Sequence, residues 1–123
     1  MLDVPDRSPL ETYESTIRSI PSSFDEPWFR EQLAAWRAGD AAAFRRISER
    51  HLGAVFELAT QICSSLGADD KLLDAIQAGN AALVDVLSEF RDGTAEEFSQ
   101  CVDTAARIRI RRYIIAAVLD FRE

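Results

Sequence analysis

Polar residues recur along segment 72–90 at the spacing of one helix face. They are Asp74, Gln77, Asn80 and Asp85, with Asn80 at the margin of the set. Residues three or four apart lie on the same side of a helix, so these carboxylates and amides could together hydrogen-bond a basic partner surface. A solvated helix face would have the same spacing, and periodicity alone leaves both interpretations open.

Basic residues are concentrated in one short segment, which holds Arg107, Arg109, Arg111 and Arg112. Such a cluster could bind nucleic-acid phosphates, because arginine neutralises the charge of the backbone. It could equally be a solvated helix turn that pairs with nearby acids.

The chain lacks the common catalytic and metal-binding patterns. It has no Ser/His/Asp order and no glycine-rich phosphate loop, and its acid pairs lie at ordinary helix ends. A zinc site is not expected, because there is one histidine and neither Cys63 nor Cys101 has a CxxC partner. Both cysteines lie among apolar residues. We therefore expect buried free thiols, no metal or cofactor, and no enzymatic activity.

The composition predicts a single globular domain over 1–123, with an N-terminal helix and linker (1–22) and a helical core (27–123). A net charge of -7 argues against a stand-alone nucleic-acid binder, although a partner protein could supply positive charge. The N-terminus is acidic and polar, unlike a secretion signal, and the longest apolar run, 113–119, is too short for a membrane span. We expect a cytoplasmic protein without membrane contact.

Capping residues, glycines and prolines predict an all-α fold, a compact bundle of about five helices. Asp69 or Asp70 is expected to cap the fourth helix, and Thr94 with Glu97 forms a capping box for the fifth. No segment alternates with the period of a strand. The predicted helices cover about 9–20, 27–39, 40–66 and 70–90, and a last one from 94 onward.

Apolar stripes indicate which helix faces are buried. In the fourth helix the stripe is Leu72, Ile76, Leu83, Val86, Leu87 and Phe90. In the fifth it is Phe98, Cys101, Val102, Ala105 and Ile108. Beyond Ile108 the stripe Ile110, Ile114, Val118 and Phe121 is joined by Ile115 and Leu119 on other sides. One core can hardly bury all of these, so we expect self-association or a partner at the C-terminal helix.

Residues 72–114 read LLDAIQAGNAALVDVLSEFRDGTAEEFSQCVDTAARIRIRRYI. This order resembles the second conserved region of bacterial RNA polymerase sigma factors of the sigma-70 family. Two upstream segments, 10–21 and 38–59, are similar to the helices that precede and open that region. The matching positions are Asp74, Ile76, Gln77, Gly79, Asn80, Phe90, Phe98, Ser99, Arg107, Ile110 and Arg112.

The resemblance implies a sigma region 2-like fold that grips the coiled coil in the largest subunit of the RNA polymerase core. Asp74, Gln77 and Asn80 match the family's contact positions, and Asp85 lies on the same face. The family's acid after the glutamine is Ala78 here. In the family the segment that holds Arg107, Arg111 and Arg112 faces promoter DNA, so the resemblance makes these three arginines candidate DNA contacts. Arg107 and Arg112 match family arginines.

The largest departure concerns promoter melting. Cys101, Thr104 and Ala105 stand where the family has a tyrosine and paired tryptophans, and Ile108 and Arg111 replace polar residues that read a base pair. Acids also outnumber bases between 85 and 103. They are Asp85, Glu89, Asp92, Glu96, Glu97 and Asp103, against Arg91.

The sequence supports two functional hypotheses. In the first, a sigma-like domain binds polymerase core and acts in transcription initiation or its regulation, with impaired promoter melting. In the second, a sigma mimic or decoy binds polymerase or an anti-sigma protein without contacting DNA. A helix-turn-helix domain encoded beyond Glu123 would favour the first hypothesis.

Overall fold

The computed structural model describes residues 8–20 and 25–121, with side chains as far as Leu119, and these ranges contain helices and no strand. The all-α prediction is confirmed, with six α-helices where about five were expected. Residues 21–24, which belong partly to the predicted N-terminal linker, and the side chain of Phe121 lie outside the described residues. The helices are α1 (Pro9–Arg18), α2 (Glu26–Arg37), α3 (Ala41–Glu49), α4 (Leu52–Ser65), α5 (Leu72–Glu89) and α6 (Ala95–Phe121), with a 3-10 turn over Asp69–Lys71.

Side chains cap most helix starts. Ser8, Asp25 and Asp40 each accept a hydrogen bond from a backbone amide of the first turn. At the start of α6, Glu97 N donates to Thr94 Oγ1 over 3.0 Å and Thr94 N donates to Glu97 Oε1 over 2.8 Å, which is a reciprocal capping box.

The prediction that Asp69 or Asp70 caps the fourth helix is wrong. Both residues belong to the 3-10 turn that leads into α5, whose first turn has no side-chain cap. This turn replaces the cap, because its backbone runs directly into the helix.

The predicted third helix, 40–66, is two helices that meet at a corner over residues 50–51. His51 lies at this corner and is 4% exposed. Its Nδ1 lies 2.9 Å from the Ile47 carbonyl oxygen and its Nε2 lies 3.2 Å from Ser99 Oγ. Because a carbonyl can only accept, Nδ1 carries the proton and Nε2 accepts from the Ser99 hydroxyl. The imidazole thereby joins the corner to α6, whereas neither glycine nor proline marks it in the sequence.

Two apolar clusters form the interior. The larger one lies among α4, α5 and α6 and includes Cys63, which is buried as predicted. The other joins α2 and α3 to the end of α5 and the start of α6. At its centre the ring of Phe98 lies 5.4 Å from that of Phe29 and 5.1 Å from that of Phe90, measured between centroids.

α6 buries one residue every four positions. The buried residues are Phe98, Val102, Ala106, Ile110 and Ile114. The predicted stripe is therefore wrong in part, since Cys101 and Ile108 are exposed and Ala105 is half-buried. Residues four apart lie about one turn apart on the same side of a helix with 3.6 residues per turn. Cys101 and Ile108 lie on the opposite side, and Ala105 lies at the margin of the buried side. Neither α6 nor any other helix in the described ranges is long and apolar enough to cross a membrane.

Gly79 lies on α5 between side chains of α4 and α6. A Cβ atom at this position would lie 2.6 Å from Val55 Cγ1 and 3.0 Å from Ile110 Cδ1. Both distances are below van der Waals contact, so any side chain here would push two helices away from α5. This crossing sets the separation of the three longest helices.

We expect Gly79→Ala to destabilise the protein. Alanine gains about 0.8–1 kcal/mol in helix propensity, but overpacking of a core costs roughly 1–3 kcal/mol, so the net loss should be about 1 kcal/mol. Gly79→Val should lose more. Gly53→Ala is the matched control, because its Cβ would lie 3.5 Å from Ile17 Cγ2, an ordinary contact. Urea unfolding, followed by circular dichroism, measures the stability of all three variants. Equal destabilisation by Gly79→Ala and Gly53→Ala would contradict tight helix packing at Gly79.

His51 should make stability depend on pH. Burial lowers the pKa of this imidazole below its usual 6.5, against a smaller opposing effect of the bond to the Ile47 carbonyl. As pH falls below about 6.5, the unfolded chain takes up a proton that the folded chain does not, so stability declines. His51 is the single histidine of the chain, so His51→Gln should flatten the decline between pH 7.5 and 5.5. Parallel urea titrations test this, and identical slopes would refute it.

Candidate functional site

A ridge of exposed residues runs along α5 on the side away from the core. The α5 ridge consists of Leu73, Gln77, Ala81, Val84 and Ser88. Leu73 is 39% exposed and Val84 is 43% exposed, so this surface is partly apolar. Sequence reasoning included Gln77 but missed Leu73 and Val84. In the sequence, these two residues could have been found as apolar side chains at positions outside the apolar stripe of α5.

Asp74 and Asp85 lie beside this ridge, next to α6. The Tyr113 hydroxyl donates a hydrogen bond to Asp74 Oδ2 over 2.9 Å, and Arg109 forms an ion pair with Asp85. The bond to Asp74 is the main cause of a raised Tyr113 pKa. Both contacts are exposed to water, where such pairs stabilise by about 0–1 kcal/mol. Either carboxylate can therefore exchange its intramolecular partner for an intermolecular one at little cost.

Asn80 occupies a different position from the other predicted contacts. It is half-buried beneath α1, where its Nδ2 donates to the Tyr13 hydroxyl over 2.9 Å. Its Oδ1 is buried and has no hydrogen-bond partner among the described residues. The structure thus brings Asp74, Gln77 and Asp85 to one surface and gives Asn80 the role of joining α1 to α5.

The arginine cluster divides into two pairs. Arg107 forms an ion pair with Asp103 at 3.2 Å, and Arg109 is held by Asp85. Arg111 and Arg112 are exposed and form no ion pair with any residue in the described ranges. Of the three arginines predicted to contact DNA, these two are available to a partner.

The outer side of α6 carries a second exposed surface. The α6 stripe consists of Cys101, Ile108, Ile115 and Leu119. At about 100° per residue these four project from the side opposite the buried face. Ile108 is 46% exposed, Ile115 54% and Leu119 56%. Apolar residues therefore lie on both sides of this helix.

Aromatic side chains are not found on the α6 stripe. Between Ala95 and Leu119 the aromatic residues are Phe98, which is buried, and Tyr113, which bonds Asp74. The start of the helix is acidic, since Glu96 and Glu97 are both exposed. This surface offers a nucleic acid no aromatic ring for base stacking, and its N-terminal end is acidic.

A groove of about 710 Å³ lies between α1 and α4 and extends to α6. Four of its rim charges are already paired, Arg18 with Glu14 and Arg107 with Asp103. The part of the chain that the structure describes contains no group of three or more His, Cys, Asp or Glu residues placed to hold a metal ion. The exposed surfaces of α5 and α6 are thus better candidates for function than the groove.

Comparison with known proteins leaves the family open. No family model matches this chain, and neither a curated protein nor a solved structure matches it. The functional assignment consequently depends on the residues of the chain and their positions in the fold.

Proposed function

We propose that this domain docks on bacterial RNA polymerase core through the α5 ridge and acts in transcription initiation or its regulation without melting promoter DNA itself. The observation that carries the proposal is the composition of that ridge. Gln77 lies between the exposed apolar residues Leu73 and Val84, and two carboxylates flank them. The sigma-like order of residues 72–114 supplies the identity of the partner.

The ridge has the chemistry that a basic coiled coil would recognise. Apolar side chains at the centre of an interface contribute most of the binding free energy, while polar groups around them set register and orientation. Here Leu73 and Val84 provide the apolar contact, Gln77 can donate and accept, and Asp74 and Asp85 attract positive charge. A net charge of -7 would further speed the encounter with a basic surface.

The energetics of base stacking argue against promoter melting by this domain. Separating a DNA step costs on average about 1.4 kcal/mol, and stacking an extruded base on an aromatic ring returns roughly 1–3 kcal/mol. The side chains of Cys101, Thr104 and Ala105 contain no aromatic ring on which a base could stack. Glu96 and Glu97 repel phosphates within about 8–10 Å, the screening length near physiological salt. Contacts with this domain therefore do not offset the free-energy cost of separating the DNA strands.

A second candidate function is a sigma mimic or decoy that binds polymerase or an anti-sigma protein and contacts no DNA. The α6 stripe favours it, because a strongly apolar surface on the side that would face the promoter suits a protein partner better than a phosphate backbone. The two functions share the α5 ridge. They differ in whether the bound complex engages promoter DNA at all.

Replacing Asp74 and Gln77 together by alanine should abolish or strongly weaken capture of core polymerase by the tagged domain. Thermal stability should change little, because exposed polar substitutions usually cost under about 0.5 kcal/mol. Val84→Glu should also block capture by burying a charge in the apolar centre of the contact.

The matched control for the polymerase test is the double variant Glu96→Ala and Gln100→Ala, which removes two exposed polar side chains from α6. It should bind polymerase like the unaltered protein. A wild-type domain that fails to bind, or an α5 variant that binds equally well, would reject docking through the α5 ridge.

The domain should show no preference for a single-stranded promoter oligonucleotide over a scrambled one in fluorescence anisotropy. With core polymerase and this domain as the only sigma, permanganate should detect no unpaired thymines. Sequence-specific binding would contradict the prediction and would implicate Arg111 and Arg112, which Arg111→Ala and Arg112→Ala variants would then test.

A further inference from the structure

The α6 stripe repeats at the interval used by paired helices. Cys101, Ile108 and Ile115 are separated by seven residues each, and Leu119 lies one turn further on. A seven-residue apolar repeat keeps one seam of a helix facing a partner helix. The buried face of α6 shows a different interval of four, so the stripe is not an extension of the core pattern.

The exposed position of the stripe gives it no role within the described fold. Ile108 and Ile115 are about half exposed although they are among the most apolar residue types. From Cys101 to Leu119 the stripe is about 27 Å long at 1.5 Å per residue. An apolar seam of this length fits a second helix lying alongside it.

Charges along one edge of the stripe favour a particular occupant. Glu97 and Arg111 project from the same edge, with Thr104 midway between them along the helix. Arg111 has no ion-pair partner in the described ranges, and Glu97 uses one carboxylate oxygen, Oε1, in its capping box. A helix running antiparallel to α6 would complement both charges if it carried the same residues in reverse order.

We propose that this occupant is a second copy of the chain, which packs its α6 antiparallel to the first about a twofold axis at Thr104. In this arrangement Ile108 of each copy packs beside Cys101 of the other, and Arg111 of each copy lies beside Glu97 of the other. Ile115 and Leu119 extend past the start of the partner's α6, which begins at Ala95. The pairing is isologous, so one surface serves both partners and the assembly closes as a dimer. Since the proposal concerns α6 alone, it does not depend on polymerase binding by α5.

Dimerisation would cover the side of α6 that the sigma-like order of residues assigns to promoter DNA. A single helix pair gives an interface at the lower end of the size range, so we expect a dissociation constant on the order of 1–100 µM. Each copy would keep its α5 ridge free, because the ridge lies on a different helix.

Sedimentation equilibrium of the purified chain from 1 to 500 µM tests the dimer. The unaltered protein should show a reversible monomer–dimer equilibrium. Ile108→Glu should weaken it more than tenfold, since it places a charge in the apolar seam against Cys101 of the other copy. Val84→Glu is the matched control, because Val84 is 43% exposed against 46% for Ile108 but lies on α5. It should leave the equilibrium unchanged.

The charge pairing is tested separately with Glu97→Gln. Glutamine also serves at this position of a capping box, so the start of α6 is kept while the charge is removed, and dimerisation should weaken about three- to tenfold. Glu96→Gln, on another side of the helix, should have no effect. Circular dichroism of each variant confirms folding.

A chain that stays monomeric up to 500 µM overturns the proposal and leaves the α6 stripe to a different protein. A dimer unaffected by Ile108→Glu, or disrupted equally by Val84→Glu, overturns it as well, because the interface would then lie elsewhere. Equal effects of Glu97→Gln and Glu96→Gln would reject the antiparallel charge pairing.

Discussion

The close crossing of α4, α5 and α6 at Gly79 is the constraint on which the rest of the fold depends. With no Cβ at this position, Val55 and Ile110 reach the backbone of α5, and the three helices pack at a distance that a side chain would not allow. Packing this tight carries a cost in helix propensity of about 1 kcal/mol relative to alanine, which the surrounding apolar contacts offset. The crossing also determines which sides of α5 and α6 remain exposed, because each helix can turn only one face toward it.

α6 carries apolar residues on two sides, and only one of these sides can face the crossing at Gly79. Its inward residues recur every four positions and fill the core, and its outward residues recur every seven and meet solvent. Because apolar residues lie on both sides, α6 lacks the usual division into one polar and one apolar side. Since a core of this size cannot enclose a whole helix, the apolar residues on the outer side remain exposed. Cys101 and Ile108 belong to this side, and they are also two of the positions at which the sequence departs from the sigma-like pattern it resembles. In the proposed function, the same two residues would therefore bear on both promoter melting and protein binding.

Ion pairs at the surface divide the charged residues into those with intramolecular partners and those without. Arg107 and Arg109 neutralise Asp103 and Asp85, so much of the basic cluster is balanced within the molecule. Arg111 and Arg112 form no ion pair with any residue in the described ranges. The contacts of Asp85 with Arg109 and of Asp74 with Tyr113 link α5 to α6, so the proposed polymerase-binding surface and the α6 stripe lie on two directly connected helices.

The sequence by itself determined the all-α class, most helix boundaries and the capping boxes, because these depend on local signals such as Ser8, Thr94 with Glu97, and the glycines after helices. It also placed Asp74, Gln77 and Asp85 on one side of a helix, and all three are exposed there. Only the tertiary structure decided the break at His51, the exposure of Cys101 and Ile108, the burial of Asn80 beneath Tyr13, and the exposed apolar positions Leu73 and Val84. Those features depend on which neighbouring helix covers each side of a segment. Periodicity fixes which residues share a side, but the packing at Gly79 fixes which side is covered.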